Sequence, residues 1–118
     1  MKTIEFYKTT TGKCPVEEFL DELSDIQVTK ITWVLKLIQE LDRVPTKYFK
    51  KLKSTDDIWE VRASGGNNTF RILGFNHNDS LVVLTNSFKK KTQKTPSSEI
   101  DLAEKRKKDY LKRRNKNG

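Results

Sequence analysis

Residues 81–88, which read LVVLTNSF, constrain the fold of this chain more than any other segment. Four apolar residues open the run and a phenylalanine ends it, which favours a strand that is central in a sheet or covered on both faces. Two alternating segments, residues 58–63 and 70–75, precede it, and the turn-forming sequences SGGNN and NHND separate the three. The sequence therefore predicts an antiparallel meander of three strands.

The first half of the chain shows helical periodicity after one short strand. Residues 2–9 alternate as a strand does. Pro15 suits the first turn of a helix, and apolar residues follow it at helical spacing. Ser24 and Gln27 have the spacing of a capping box, which predicts the start of a second helix. Pro45 is expected to end that helix. Two helices with so short a link predict a helical hairpin.

A basic connection, residues 46–57, leads into the meander, and a basic helix follows it. Thr95 and Pro96 suit the N-cap and the first position of that helix, and residues 113–118 are expected to fray. The predicted order is β-α-α-β-β-β-α, a single α+β domain over residues 1–118. We expect an antiparallel sheet with the helical hairpin and the C-terminal basic helix on one face.

The net charge of +8 comes entirely from the last thirty residues. Residues 89–118 contain twelve Lys/Arg and four Asp/Glu, whereas residues 1–88 contain twelve of each. A basic arm that leaves a core strand is a footprint for a polyanion, nucleic acid above all. The other interpretation is a solvated, lysine-rich helix that keeps the protein in solution.

Composition excludes several classes of site. The chain has one cysteine, Cys14, so it has no internal disulfide, and with one histidine, His77, we expect no zinc site and no cofactor. No apolar run approaches the roughly 20 residues of a membrane span, and no apolar N-terminal segment precedes a cleavage-like site. We expect a cytoplasmic protein without a membrane partner.

Strand alternation places Glu60 and Arg62 on one face of their strand. If residues 66–67 centre the following hairpin, Arg62 pairs directly with Arg71. Like charges directly opposite destabilise a sheet, and an anion or Glu60 between the arginines would relieve that repulsion. The alternative is that Glu60 forms an ordinary surface salt bridge with one arginine and that these residues form no anion-binding site.

The next strand is expected to bring lysines to the same face. If Asn78 centres the turn, Thr85 lies opposite Arg71, and Lys89 and Lys91 continue on the face of Arg71. This register is inferred from the position of the turn, and a one-residue shift would place these lysines on the opposite face of the sheet.

Such a cluster suits RNA cleavage by the 2′-hydroxyl of the RNA itself. The reaction needs a base for that hydroxyl, positive charge beside the phosphorane and an acid for the leaving 5′-oxygen. Glu60 is the candidate base, and Arg62 and Arg71 are the candidate charge stabilisers. Lys89 or Lys91 is the candidate acid, if neighbouring cations lower the lysine pKa. No metal site is evident, so we expect a metal-independent enzyme.

Four segments carry a resemblance to a known family. They are IWEVR at 58–62, TFRI at 69–72, SFKKKTQKTP at 87–96 and EIxxA, which starts at Glu99. As an ordered set they resemble the phage-derived HigB-like toxins of the RelE/ParE superfamily. The resemblance runs from about residue 2 to about residue 114, and the predicted element order matches that superfamily.

The resemblance implies a type II toxin that cleaves mRNA on the ribosome. It also implies inhibition by a helix-turn-helix, HigA-like antitoxin. Arg71 matches the superfamily's phosphate-binding arginine, and Glu60 matches branches that use a glutamate base. Residues 89–91 match positions where other members place a catalytic Arg or His. Thr92 and Gln93 stand where other members place a catalytic tyrosine.

Further lysines are assigned to RNA binding without sequence preference. They are Lys51, Lys53, Lys90, Lys94, Lys105, Lys108 and Lys112. An alternative is a non-catalytic module on the same fold, either a ParE-like gyrase inhibitor or a plain nucleic-acid binder. The cluster around Glu60 favours the nuclease.

Overall fold

Five strands form one sheet, with two helices on one face and a third on the other. The computed structural model describes residues 1–117, with the side chains of residues 1–115. In chain order the elements are β1 (Thr3–Phe6), α1 (Pro15–Asp21), α2 (Asp25–Glu40), β2 (Phe49–Lys51), β3 (Ile58–Gly65), β4 (Asn68–His77), β5 (Leu81–Lys89) and α3 (Ser97–Asn117). The fold is α+β, as predicted, and agrees with a RelE-like architecture.

The sheet is mixed, so the prediction of an antiparallel sheet is wrong in one place. The strand order is β1-β5-β4-β3-β2. The meander β3–β5 is antiparallel as expected, whereas β1 runs parallel to β5. The helices α1 and α2 follow β1 and cover one face of the sheet before the chain enters β2 at the far edge. No tight turn joins β1 to its neighbour, so nothing local requires the antiparallel orientation.

The short strand β2 lies where the sequence predicts only a basic connection. Phe49 is buried and its ring stacks on that of Trp59, with centroids 4.8 Å apart. This packing pairs β2 antiparallel with β3. The connection therefore adds an edge strand, which brings Lys50 directly opposite Glu60.

Both faces of the central strands are buried, each against different helices. Val61 and Ile72 pack with α2 residues such as Ile31, whereas Ile58 and Leu73 pack with Ala103 of α3. The prediction that all helices share one face is therefore wrong for α3. The prediction of a doubly covered last strand is confirmed, because adjacent residues of β5 enter clusters on opposite faces.

The register of the hairpin β3–β4 confirms that Arg62 lies opposite Arg71. The next pair differs from the prediction, because Phe88, not Thr85, lies opposite Arg71. The turn is centred one residue later than expected, and a β-bulge between Leu73 and Gly74 adds one residue to β5. A single-residue insertion exchanges the two faces of everything beyond it.

The last helix begins at Ser97, one residue later than predicted. The carbonyl of Pro96 accepts from the backbone N–H of Ile100, 3.2 Å away, so Pro96 takes the N-cap place that we assigned to Thr95. The helix continues to Asn117 through residues for which fraying is predicted, and Gly118 lies outside the described residues. Within the described chain, no helix has the length and apolarity needed to cross a membrane.

Candidate active site

Glu60 forms the centre of a buried charge cluster on the face of the sheet that α3 covers. Its side chain is 1% exposed. Oε1 accepts from Arg62 Nε at 2.8 Å and lies 3.3 Å from Arg71 Nε. Oε2 accepts from the hydroxyl of Thr95. Both carboxylate oxygens therefore have polar neighbours, as burial of a charge requires.

Arg71 is the buried cation of the cluster, only 8% exposed. Its Nη1 donates to the carbonyl of Phe70 at 3.1 Å, whereas its buried Nε makes no well-directed hydrogen bond. Burial lowers the pKa of Arg71, and the charge of Glu60 opposes that effect. The guanidinium stays protonated in any case, so this site keeps a positive charge with unused hydrogen-bonding capacity.

Lys90 is the lysine that joins this cluster, because the β-bulge exchanges the faces of the chain beyond it. Its backbone N–H donates to the carbonyl of Thr69 at 2.8 Å. Partial burial, and the positive charges of Arg71 and Arg62, lower the pKa of the Lys90 ammonium, while Glu60 opposes them.

Lys89 and Lys91 do not lie on the face of Arg71, so that part of the prediction is wrong. Lys89 is exposed and lies opposite Phe70, whose side chain points into the core on the α2 side. Lys91 is exposed in the segment that follows β5. The prediction from the sequence placed both lysines in the cluster because it assumed a regular strand without a bulge.

Two arginines, Arg62 and Arg71, thus pair with one carboxylate, and Lys90 lies on the same face near enough to be affected by all three charges. The positive charges of these side chains repel one another, and the single negative charge of Glu60 neutralises only one of them. An anion is the natural complement, and arginine forks match the oxygens of a phosphate. The cluster has the composition of a phosphodiester site.

A pocket of about 680 Å³ adjoins the two arginines. It lies between the first half of α2, the residues that precede β2, and the hairpin end of β3 and β4. Arg62 and Arg71 line it together with the aromatic side chains of Trp33 and Tyr48. The arginines therefore contact both Glu60 and a concave surface.

A family model for the phage-derived Gp49-like proteins (DUF891) matches residues 18–108. The chain belongs to the Gp49-like family. Gp49-like proteins are a known family of RelE-like toxins, and RelE-type toxins are ribonucleases. The matched span includes Glu60, Arg62, Arg71 and Lys90. No curated protein matches the chain.

The other lysines assigned to RNA binding lie outside the charge cluster in this Gp49-like protein. Lys51, at the end of β2, lies 3.9 Å from a carboxylate oxygen of Asp57. The remaining lysines lie exposed on the surface: Lys53, Lys94, Lys105, Lys108 and Lys112. The last three are on α3. They form a basic surface on the helix rather than part of the charge cluster.

Two residues with side chains that can transfer protons, His77 and Tyr110, lie away from Glu60. His77 is at the far end of β4, opposite Leu81, and its ring contacts that of Tyr110, with centroids 6.1 Å apart. Tyr110 also packs edge-on against Phe75. Neither residue contributes to the cluster.

Thr95 is a residue of the cluster that the sequence did not predict, and Lys50 lies opposite Glu60 on an edge strand that the sequence did not predict. Thr95 reads as a helix cap, and its contact with Glu60 spans 35 residues. Lys50 was assigned to a loop, although FKK before an alternating strand is compatible with an edge strand. Among the described residues, no group of three or more His, Cys, Asp or Glu is arranged to hold a metal ion.

Proposed function

We propose that this Gp49-like protein is a HigB-like toxin of a type II toxin–antitoxin system. It cleaves mRNA on the ribosome through attack by the 2′-hydroxyl of the RNA. The observation that carries this proposal is the buried carboxylate of Glu60, held between Arg62 and Arg71 and beside Lys90. The family relation to RelE-type ribonucleases supports the same reaction class.

Glu60 is the general base in this proposal. The hydroxyl of Thr95 donates to Glu60 Oε2, and a ribose 2′-hydroxyl would donate to the same oxygen after displacing it. The proton of the 2′-hydroxyl passes to the carboxylate as the 2′-oxygen forms its bond to phosphorus. Arg62 and Arg71 stabilise the negative charge that develops on the non-bridging oxygens.

Lys90 is the general acid. As the bond between phosphorus and the 5′-oxygen breaks, the Lys90 ammonium transfers a proton to that oxygen. The products are a 2′,3′-cyclic phosphate and a free 5′-hydroxyl. A lowered pKa makes Lys90 a better proton donor at neutral pH than an ordinary lysine.

An antitoxin is the partner that family membership indicates. We propose that it is a helix-turn-helix, HigA-like protein and that an acidic or wrapping segment of it covers the basic surface. Lys105, Lys108 and Lys112 lie exposed on α3 and would contact ribosomal RNA or mRNA phosphates.

Replacing Glu60 with glutamine should remove cleavage while the side chain keeps its shape. We expect new 5′ ends within coding regions when the wild-type protein is expressed, and a loss of at least about a hundredfold in the variant. Mapping of transcript 5′ ends after induction measures this. Glu17→Gln, an exposed change on α1, is the matched control. Growth arrest with DNA breaks and intact transcripts would instead indicate a ParE-like gyrase poison.

A change at Lys90 should alter how cleavage depends on pH. The general acid must be protonated, so the rate should fall as pH rises through the pKa of Lys90. Because that pKa is lowered, the fall should begin below the ordinary lysine value of about 10.4. Lys90→Arg keeps the charge, yet should cut the rate by about a hundredfold. Single-turnover cleavage on programmed ribosomes at several pH values tests both expectations.

Lys13→Arg, in the exposed loop before α1, is the control for that experiment. Lys89→Gln and Lys91→Gln test the lysines that the sequence favoured. If one of them loses activity while Lys90→Gln keeps it, the assignment of the acid to Lys90 is wrong.

A further inference from the structure

The pocket beside Arg62 and Arg71 has features that the cleavage chemistry does not use. We propose that it binds a nucleobase of single-stranded RNA, next to the phosphate held by the two arginines. This inference rests on the proposed function and adds a subsite for one nucleotide. The base would stack on Trp33.

The charge of the pocket favours a polyanion. Its lining includes four cations, Lys30, Lys47, Arg62 and Arg71, and no carboxylate. Among these cations Lys30 and Lys47 are exposed, whereas Arg71 is buried. Successive phosphates of a nucleic acid strand would find positive charge on these side chains.

The aromatic residues give the pocket a surface suited to a base. Trp33 is 50% exposed although it lies on the main core helix. Its ring meets that of Tyr48 nearly perpendicular, with centroids 5.4 Å apart, in an edge-to-face contact. An exposed indole beside basic side chains is the kind of platform on which unpaired bases stack.

Backbone contacts attach this platform to the charge cluster. The N–H of Arg62 donates to the carbonyl of Tyr48 at 2.7 Å. Lys47 Nζ lies 4.9 Å from the centroid of the Tyr48 ring, so a cation and an aromatic ring occupy the same wall. Arg62 and Arg71 line the same pocket as Trp33 and Tyr48. A nucleotide bound there would place its phosphate on the arginines and its base on the indole.

An acidic peptide is the competing occupant. Carboxylates would match the four cations, but they have no flat apolar surface to place against the indole. A nucleotide supplies both the charge and the ring, so we assign the pocket to RNA. The peptide becomes an outcome of the test.

The test measures binding of an uncleavable probe to the full-length protein. The probe is a fluorescein-labelled 2′-O-methyl adenosine trinucleotide, which lacks the attacking hydroxyl, and anisotropy reports its affinity. Trp33→Leu should weaken binding at least about fivefold, and Trp33→Phe should weaken it less. Ile26→Ala, also an exposed apolar side chain of α2, should leave it unchanged. Inorganic tripolyphosphate has charge but no base, so it should bind wild type and Trp33→Leu equally.

Equal trinucleotide affinity in wild type and Trp33→Leu would overturn the inference. So would a decaglutamate peptide that binds wild type and depends on Trp33 while the trinucleotide does not. Thermal unfolding of each variant shows whether it is folded, and Trp33→Phe gives a second reading if the leucine variant is not. If Glu60→Gln abolishes cleavage while binding ignores Trp33, only this inference fails. If binding depends on Trp33 but no RNA is cleaved, only the proposed reaction fails.

Discussion

Replacing Arg71 with alanine is expected to lower mRNA cleavage by about a hundredfold to a thousandfold. Arg71 is a buried cation whose Nε makes no well-directed hydrogen bond. Its side chain lies beside the carboxylate of Glu60, and the residue also lines the pocket. In the proposed reaction it stabilises the negative charge that develops on the phosphorane, so its loss should remove stabilisation that water does not replace. Growth after induction and 5′-end mapping both measure the effect.

Arg71→Lys separates chemistry from folding. Removal of Arg71 leaves Glu60 with fewer partners, and this should cost about 1–3 kcal/mol of folding free energy. Lysine keeps the charge near Glu60 but lacks the planar fork, so stability should recover more than activity does. Arg43→Ala, an exposed change beyond α2, serves as the control. A folded Arg71→Ala protein that still cleaves mRNA would contradict the role of this arginine.

Gly74→Ala is expected to destabilise the protein by about 3 kcal/mol, because the bulge leaves no room for a side chain. A Cβ at this position would lie 2.3 Å from the carbonyl oxygen of Val83 and 3.1 Å from Leu84 Cα. Both are backbone atoms of the paired central strand, so relief requires movement of β5 itself. Urea unfolding, read as a change in midpoint at constant slope, measures the loss.

Gly65→Ala is the matched control on the neighbouring strand. Its Cβ would meet atoms of Gln27 at 3.5–3.6 Å, which is ordinary contact. We therefore expect a change within about 1 kcal/mol. Equal destabilisation by the two substitutions would show that the close approach of Gly74 to β5 is not what restricts this position.

Gly74 affects both the stability of the fold and the set of residues that form the charge cluster. The bulge beside it exchanges the faces of β5 and places Lys90, instead of Lys89, beside Arg71. A variant that folded with an unbroken strand would return Lys90 to the other face. The cleavage rate of that variant should then fall by more than its lower folding stability alone would cause.

Local signals in the sequence predicted much of the candidate site. The alternation of residues 58–63 put Glu60 and Arg62 on one face, and the hairpin turn paired Arg62 with Arg71. The capping box of Ser24 and Gln27 is confirmed, as is the helix that begins at Pro15. Each of these features depends on residues within about ten positions of one another, where backbone geometry leaves few alternatives.

The tertiary structure decided what depends on distant parts of the chain. The parallel pairing of β1 and the place of α3 on the second face are set by packing between segments that no turn connects. The edge strand β2 is set by the packing of Phe49 on Trp59. The bulge beside Gly74 accompanies a close backbone approach, and it moved the candidate acid from Lys89 or Lys91 to Lys90.

The sequence alone thus determined a carboxylate between two arginines on a basic α+β domain, because strand alternation and one hairpin turn suffice to bring them together. Only the tertiary structure decided that Thr95 contacts that carboxylate and that Trp33 and Tyr48 form a pocket with the same arginines. These contacts join α2, the residue before β2 and the segment before α3 to one hairpin. They depend on how helices pack on the sheet, which residue order does not reveal.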